Sequence, residues 1–261
     1  MMPSLASSLS PNSSEFRANR EAMLALISGF RSLEEKVRQN SARKEAQFRK
    51  RGQLLPRERL SALLDPGRDF LELSSLAGLS LHDDDGDAEA AGGNAIVGLG
   101  WVSERLCVVN VSDSGIKGGA MSPMGLRKTL RAQEIALREQ LPVITLLESG
   151  GANLLYQSEL FVEGGRVFAN MARLSAAGLP QITVVHGPST AGGAYIPGLS
   201  DYVISVEGRA SMYLAGPPLV KAAIEEVVEE EFLGGARMHA EVTGSSEYLA
   251  ADDAEAIAIA R

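Results

Sequence analysis

The chain has a single cysteine, Cys107, so no disulfide can form within it and the simple inference is a cytoplasmic protein. Cys107 lies in an apolar run and reads as a buried strand residue rather than a nucleophile. No apolar run approaches the ~18 residues that would span a bilayer. There is no excess of positive charge: 25 Lys and Arg stand against 33 Asp and Glu, giving a net charge of -8. That balance argues against nucleic acid and against an anionic membrane as partners. The Ser-rich start lacks the apolar core of a secretion signal, and residues 1–15 read as a disordered tail. The acidic run from Asp83 to Asp87 lacks the ligand spacing of a calcium loop and reads as a surface loop. No metal site is expected in this chain, and no repeat with a clear period is visible.

What is present is enough apolar material for a packed core: 261 residues, 45% hydrophobic. Met23, Leu26, Phe30, Leu33 and Val37 follow alternating three- and four-residue steps and predict an amphipathic helix. It would pack on the rest of the fold or on a neighbouring subunit. Residues 43–59 are strongly basic, with Arg43, Lys44, Arg49, Lys50, Arg51, Arg57 and Arg59. They read either as a solvated face or as a site for phosphates. Arg57 to Leu64 predicts a short helix stopped by Asp65-Pro66-Gly67. Strands are expected at 95–102 and 106–111, joined by a tight turn at Ser103-Glu104, and then at 143–147, 182–185, 202–206 and 211–214. Helices are expected at 125–140, 159–177 and 217–230. This alternation is the pattern of an α/β fold with a largely parallel sheet.

Two stretches carry chemistry. Glu148-Ser149-Gly150-Gly151-Ala152-Asn153 and His186-Gly187-Pro188-Ser189-Thr190-Ala191-Gly192-Gly193-Ala194 each follow a β-branched run and precede a helix. A Gly-Gly pair where a strand turns into a helix leaves backbone N–H groups unpaired and free of side-chain bulk. Such groups can hold an oxyanion, or a phosphate. The Walker lysine is missing, so neither stretch is a P-loop. Gly187 to Ala191 partly resembles a serine nucleophile elbow, but Pro188 is awkward there and His239 is the only downstream base. Glu148 reads as a general base or as a surface cap, and Asn153 as a helix cap. Lys117-Gly118-Gly119 is a loop with one positive charge. It reads either as an ordinary turn or as a phosphate contact. Arg127, Lys128 and Arg131 share a helical face that reads as solvated.

Together these motifs resemble the carboxyltransferase β subunit of biotin-dependent acyl-CoA carboxylases. The resemblance runs from about Phe16 to Arg261, through Leu54-Leu55-Pro56-Arg57-Glu58-Arg59-Leu60, Lys117-Gly118-Gly119, Glu148 to Leu154, Thr190 to Pro197, Leu214 to Ala222 and Leu233-Gly234-Gly235-Ala236. The Ser-Gly-Gly-Ala-Asn and Ala-Gly-Pro-Pro-Leu-Val-Lys stretches look most like the methylcrotonyl-CoA and geranyl-CoA branch. The resemblance implies a crotonase-like (ClpP/crotonase) superhelix of ββα units, with residues 16–261 as the N-terminal, acyl-CoA-binding domain. It implies a catalytic role for Gly192, Gly193, Gly150 and Gly151, and substrate contacts at Ala152, Ala191, Ala194, Lys117, Gly118 and Gly119. It also implies carboxybiotin supplied by a biotin carboxylase and biotin carrier partner, a missing C-terminal half, and a homo-oligomer. The chain departs from the family pattern in two places. Ile224-Glu225-Glu226 replaces Thr-Gly-Glu, and Ser246-Glu247 replaces Asp-His. A stand-alone acyl-CoA decarboxylase and a non-catalytic oligomeric scaffold stay open as other readings.

Overall fold

The computed structural model describes residues 7–81 and 91–261. The acidic run at 83–87 and residues 1–6 of the expected tail lie outside them.

The chain opens with a long helix, α1 (Ser14–Ala42), capped by the Ser13 hydroxyl, which accepts from the Phe16 amide. Two shorter helices follow, α2 (Glu45–Lys50) and α3 (Pro56–Leu63). Pro56 suits the first turn of α3 because its missing N–H would have had no partner there. Among the described residues the last part of α1 meets the body, with Val37 and Ser41 buried and Glu34 accepting from the Ser75 hydroxyl. Met23, Leu26 and Phe30 on the predicted apolar stripe remain exposed.

Among the described residues eight strands form one sheet: β1 (Leu71–Glu72), β2 (Ala95–Val102), β3 (Arg105–Ser112), β4 (Val143–Ser149), β5 (Gln181–Thr190), β6 (Tyr202–Val206), β7 (Ser211–Tyr213) and β8 (Tyr248–Ala250). Their order is β1-β2-β3-β4-β5-β6-β8, and β7 also pairs with β5. The first two pairings are antiparallel and all others parallel. The β2–β3 turn places Ser103 and Glu104 at positive φ. The Asp65 carboxylate accepts from both amides, at 2.9 and 2.8 Å, which fixes this tight hairpin.

The two faces of the sheet follow the strand period of two. Cys107, Val109 and Val111 point to one side, where α3 and a final helix, α9 (Asp253–Ala260), pack through Leu60, Leu63 and Ile257. Val108 and Val97 point to the other, against Ala132 and Ile135 of α4 (Pro123–Glu139) and Leu174 of α5 (Gln157–Ala176). Burial pushes the Cys107 thiol up to about 11, as befits a strand core residue rather than a nucleophile.

The helix expected at 217–230 is instead two pieces. After a short α6 (Tyr195–Gly198), α7 (Pro217–Ile224) stops at Glu225 in the left-handed region, and α8 (Glu230–Gly234) starts afresh. Adjacent valines and five glutamates within seven residues oppose a continuous helix through 225–231, by β-branching and like-charge repulsion. At the second departure from the family pattern, Ser246 is buried and its hydroxyl lies 2.9 Å from that of Ser205. Glu247 accepts from the Val203 amide at 2.7 Å.

Candidate active site

The parallel strands β4 and β5 end side by side, and each runs straight into one of the Gly-Gly turns. In an open parallel sheet this carboxyl edge is where ligands are bound. Ser149 and Ser189 lie opposite each other in register. A Cβ added to Gly193 would lie 3.3 Å from the Ser149 side chain and 3.1 Å from the Ser189 hydroxyl. One added to Gly151 would lie 3.6–3.7 Å from Thr190 and Ala191. The two turns therefore touch, and no larger residue fits freely at their meeting point.

The second turn continues into a helical stretch, Ala191–Ala194 followed by α6, with no side-chain cap at Thr190. The N–H groups of Ala191, Gly192 and Gly193 thus stand where the helix itself offers no acceptor. Ala191 and Gly192 are exposed, Gly193 is buried, and Ala194 packs against the cluster around Val185. On the first turn Gly150 is exposed, while Gly151, at φ +88°, is buried and donates to the Ser149 hydroxyl at 3.2 Å.

The loop at 117–119 joins the same edge. A Cβ on Gly119 would come within 2.4 Å of the Glu148 carbonyl oxygen, so only glycine allows this approach. Gly118 places its carbonyl oxygen 3.3 Å from where a Cβ of Gly150 would stand. Met121 then pairs with Ala152, its amide donating to Gly151 at 2.8 Å. Lys117 and Gly118 are exposed at the rim. Asn153 caps a single turn, its side chain accepting from the Leu155 amide. All ten residues singled out in the sequence therefore cluster on one edge of the sheet.

The basic run divides. Arg49 pairs with Glu45 and Glu58, and Arg57 with Glu72. Lys44 and Arg51, with Gln47 and Phe48, line a 250 Å³ pocket whose far wall is Ser114, Gly118, Glu148, Ser149, Gly150 and Pro188. A wider 530 Å³ groove adjoins it, sharing Arg51 and Pro188 and reaching Arg209 and Glu230. Phe48 and Gln47 were not expected here; nothing in a basic helical stretch announces which face meets a strand end.

Arg59 is fully buried, a departure from both readings of the basic run. It donates to Glu148 at 2.8 Å and to Asp253 at 3.1 Å. Asp253 in turn accepts from His186 Nδ1 at 2.8 Å and from the Leu54 amide at 2.7 Å. Burial alone would raise the pKa of Asp253, but His186 and Arg59 hold it down at about 2. Burial, reinforced by the Arg59 charge, pushes the His186 pKa below its ordinary value, and the hydrogen bond to Asp253 opposes the shift. Glu148 is thus not a surface cap, and its carboxylate is committed to Arg59. Lys128 is likewise buried rather than part of a solvated face.

The elbow reading fails on geometry. Ser189 lies inside β5, fully buried, in extended backbone rather than on a turn, and its hydroxyl has no partner. His239 Nε2 lies 2.8 Å from the Met212 carbonyl oxygen. Among the described residues no group of three or more His, Cys, Asp or Glu could hold a metal ion, and no helix is long and apolar enough to cross a membrane.

Residues 47–261 match the family described as the carboxyl transferase domain. The chain belongs to this family. It is 48% identical over 211 residues to the probable biotin-dependent acyl-coenzyme A carboxylase beta2 subunit of Mycobacterium tuberculosis, covering 81% of this chain and 39% of that protein. It is 45% identical over 254 residues to the mitochondrial methylcrotonoyl-CoA carboxylase beta chain of Arabidopsis thaliana, covering 96% and 43%. The crystal structure of the geranyl-CoA carboxylase beta subunit of P. aeruginosa superposes with a TM-score of 0.90 at 57% identity, over 99% of this chain and 48% of that one. The carboxyl transferase domain described here thus spans about half the length of the relatives it matches, the N-terminal half. Its fold is the crotonase-like α/β fold of carboxyltransferases, as the motifs implied.

Proposed function

We propose that this carboxyl transferase domain is the acyl-CoA-binding half of a biotin-dependent acyl-CoA carboxylase, of methylcrotonyl- or geranyl-CoA type. The observation that carries the reading is the contact between two Gly-Gly turns at the ends of β4 and β5, beside a pocket rimmed by Lys44 and Arg51. The cations suit the phosphates of CoA. The thioester oxygen would accept from the N–H groups of Gly192 and Gly193 at the start of the helical stretch. When the acyl group loses a proton, negative charge moves onto that oxygen. Donors already aimed at it stabilise the enolate without reorganising, and each such donor is worth about 3–4 kcal/mol in comparable sites. No side-chain base from this edge is invoked, because the Glu148 carboxylate is held by Arg59.

Biotin would bring the carboxyl group, borne by a carrier partner. The Gly150-Gly151 turn is a poor seat for it alone, since the Gly151 N–H is already donated to Ser149. We assign no residue of this chain to biotin. The full reaction would draw on a biotin carboxylase and carrier, on a second carboxyltransferase half, and on assembly with further copies of the chain. Cytoplasmic residence, suggested by the lone cysteine, belongs to the same reading.

The test is calorimetric titration of the folded chain with 3-methylcrotonyl-CoA and with free CoA. The ester is expected to bind more tightly, and Gly193→Val, crowding Ser149 and Ser189, is expected to abolish that margin. Equal binding of both, or of neither, would remove the reading.

A further inference from the structure

The ladder between β4 and β5 breaks where the turns begin. Leu147 pairs with Val185, and the next pair is Ser149 with Ser189. One residue of β4, Glu148, therefore faces three of β5, His186, Gly187 and Pro188. Across such an irregularity the regular hydrogen bonds cannot fix the spacing of the two strand ends.

A chain of hydrogen-bonded side chains spans the gap. Glu148 accepts from Arg59 at 2.8 Å, Arg59 donates to Asp253 at 3.1 Å, and Asp253 accepts from His186 at 2.8 Å. His186 leads directly into Gly187, whose missing side chain leaves room for Glu148. A Cβ on Gly187 would lie 2.9 Å from both the Cγ and the Cδ of Glu148. Gln53 ties in the β5 backbone by donating to the His186 carbonyl oxygen at 3.1 Å. Arg59, Glu148, His186 and Asp253 are each at most 5% exposed. In such surroundings a hydrogen-bonded ion cluster is directional and stiff, and removing one member leaves an unpaired buried charge.

We propose that Glu148, Arg59, Asp253 and His186 are positioning residues that set the separation of the Gly150-Gly151 and Gly192-Gly193 turns. The proposal rests on the acyl-CoA reading of those turns. Arg59, Asp253 and His186 stand behind the pocket wall, and Glu148, which lines the pocket, gives its carboxylate to Arg59. The cluster replaces the missing ladder bonds and holds the two sets of N–H donors in one geometry.

The experiment compares wild type with Glu148→Gln, which keeps the shape and removes the charge. Two quantities are read: the affinity ratio of 3-methylcrotonyl-CoA to free CoA, and the amide resonances of Gly150, Gly192 and Gly193 in ¹⁵N-labelled protein. The variant is expected to lose about tenfold of the preference for the ester over free CoA, and to shift the amides of both turns. A variant that retains the ester preference, or that moves Gly150 alone, overturns the proposal. If Glu148→Gln does not melt cooperatively, Asp253→Asn, which spares the Arg59–Glu148 pair, is read by the same criteria. If wild type shows no ester preference, the acyl-CoA reading fails, while the amide shifts still decide whether the cluster couples the two turns.

Discussion

The ammonium of Lys128 lies 2.7 Å from the carbonyl oxygen of Ala95 and 3.2 Å from that of Gly92, inside the fold. α4 thereby grips the segment that leads into β2. Burial is the main cause that lowers its pKa to about 8, and Arg57 adds to it, while Glu72 and Asp113 oppose it.

A lysine whose folded pKa lies below its unfolded value makes stability rise with pH between the two. From about pH 8 to 10.5 the unfolded chain holds a proton that the folded chain has released. Below pH 8 both states are protonated and the full penalty, at most about 3 kcal/mol, is present. Urea midpoints are expected to climb over that interval in wild type relative to Lys128→Met, which lacks the titrating group. A constant difference between the two proteins would show that Lys128 keeps an ordinary pKa.

Two neighbouring glycines should respond differently to alanine. Gly118, at φ +67°, has open space around its missing Cβ, so Gly118→Ala pays only backbone strain, about 1 kcal/mol. A Cβ added to Gly119, at φ +71°, would stand 2.4 Å from the Glu148 carbonyl oxygen. Gly119→Ala must push the loop off β4, and a loss of about 2 kcal/mol or more is expected. Chemical denaturation of the two variants gives the comparison directly, and equal losses would contradict the close approach.

Glu225 ends α7 at φ 60°, in the left-handed region that favours glycine. Glu225→Gly is expected to stabilise the chain by about 0.5–1 kcal/mol, because glycine adopts this conformation without strain. The gain should appear as a higher melting temperature with no change in ligand affinity.

Much of the candidate site is legible in the sequence because its parts are local. A β-branched run followed by Gly-Gly announces a strand ending in an uncluttered turn, and 143–151 and 182–193 fold that way. The β2–β3 hairpin and the cap at Asn153 are local in the same sense. What resists reading is long-range. Arg59 sits in a run of exposed cations and looks like them, yet its partners are 89 and 194 residues away. His186 bonds to Asp253, 67 residues away, and nothing near it in the sequence announces that partner. Lys128 shares helical spacing with Arg127 and Arg131, but α4 turns that one position inward. The segment after α7 shows the opposite failure, since its helix-forming glutamates predict a continuous helix although adjacent charges and valines break it.

The Arg59–Asp253 bond also has a meaning in time. On the ribosome Arg59 must wait 194 residues for its carboxylate. At about 5–20 residues per second, that is roughly 10 to 40 s of synthesis. β5 is complete only at Thr190, and from then until Asp253 is made β4 and β5 can pair while the clasp at their ends is open. The edge of the sheet that carries the chemistry is therefore fastened only after both of its strands exist.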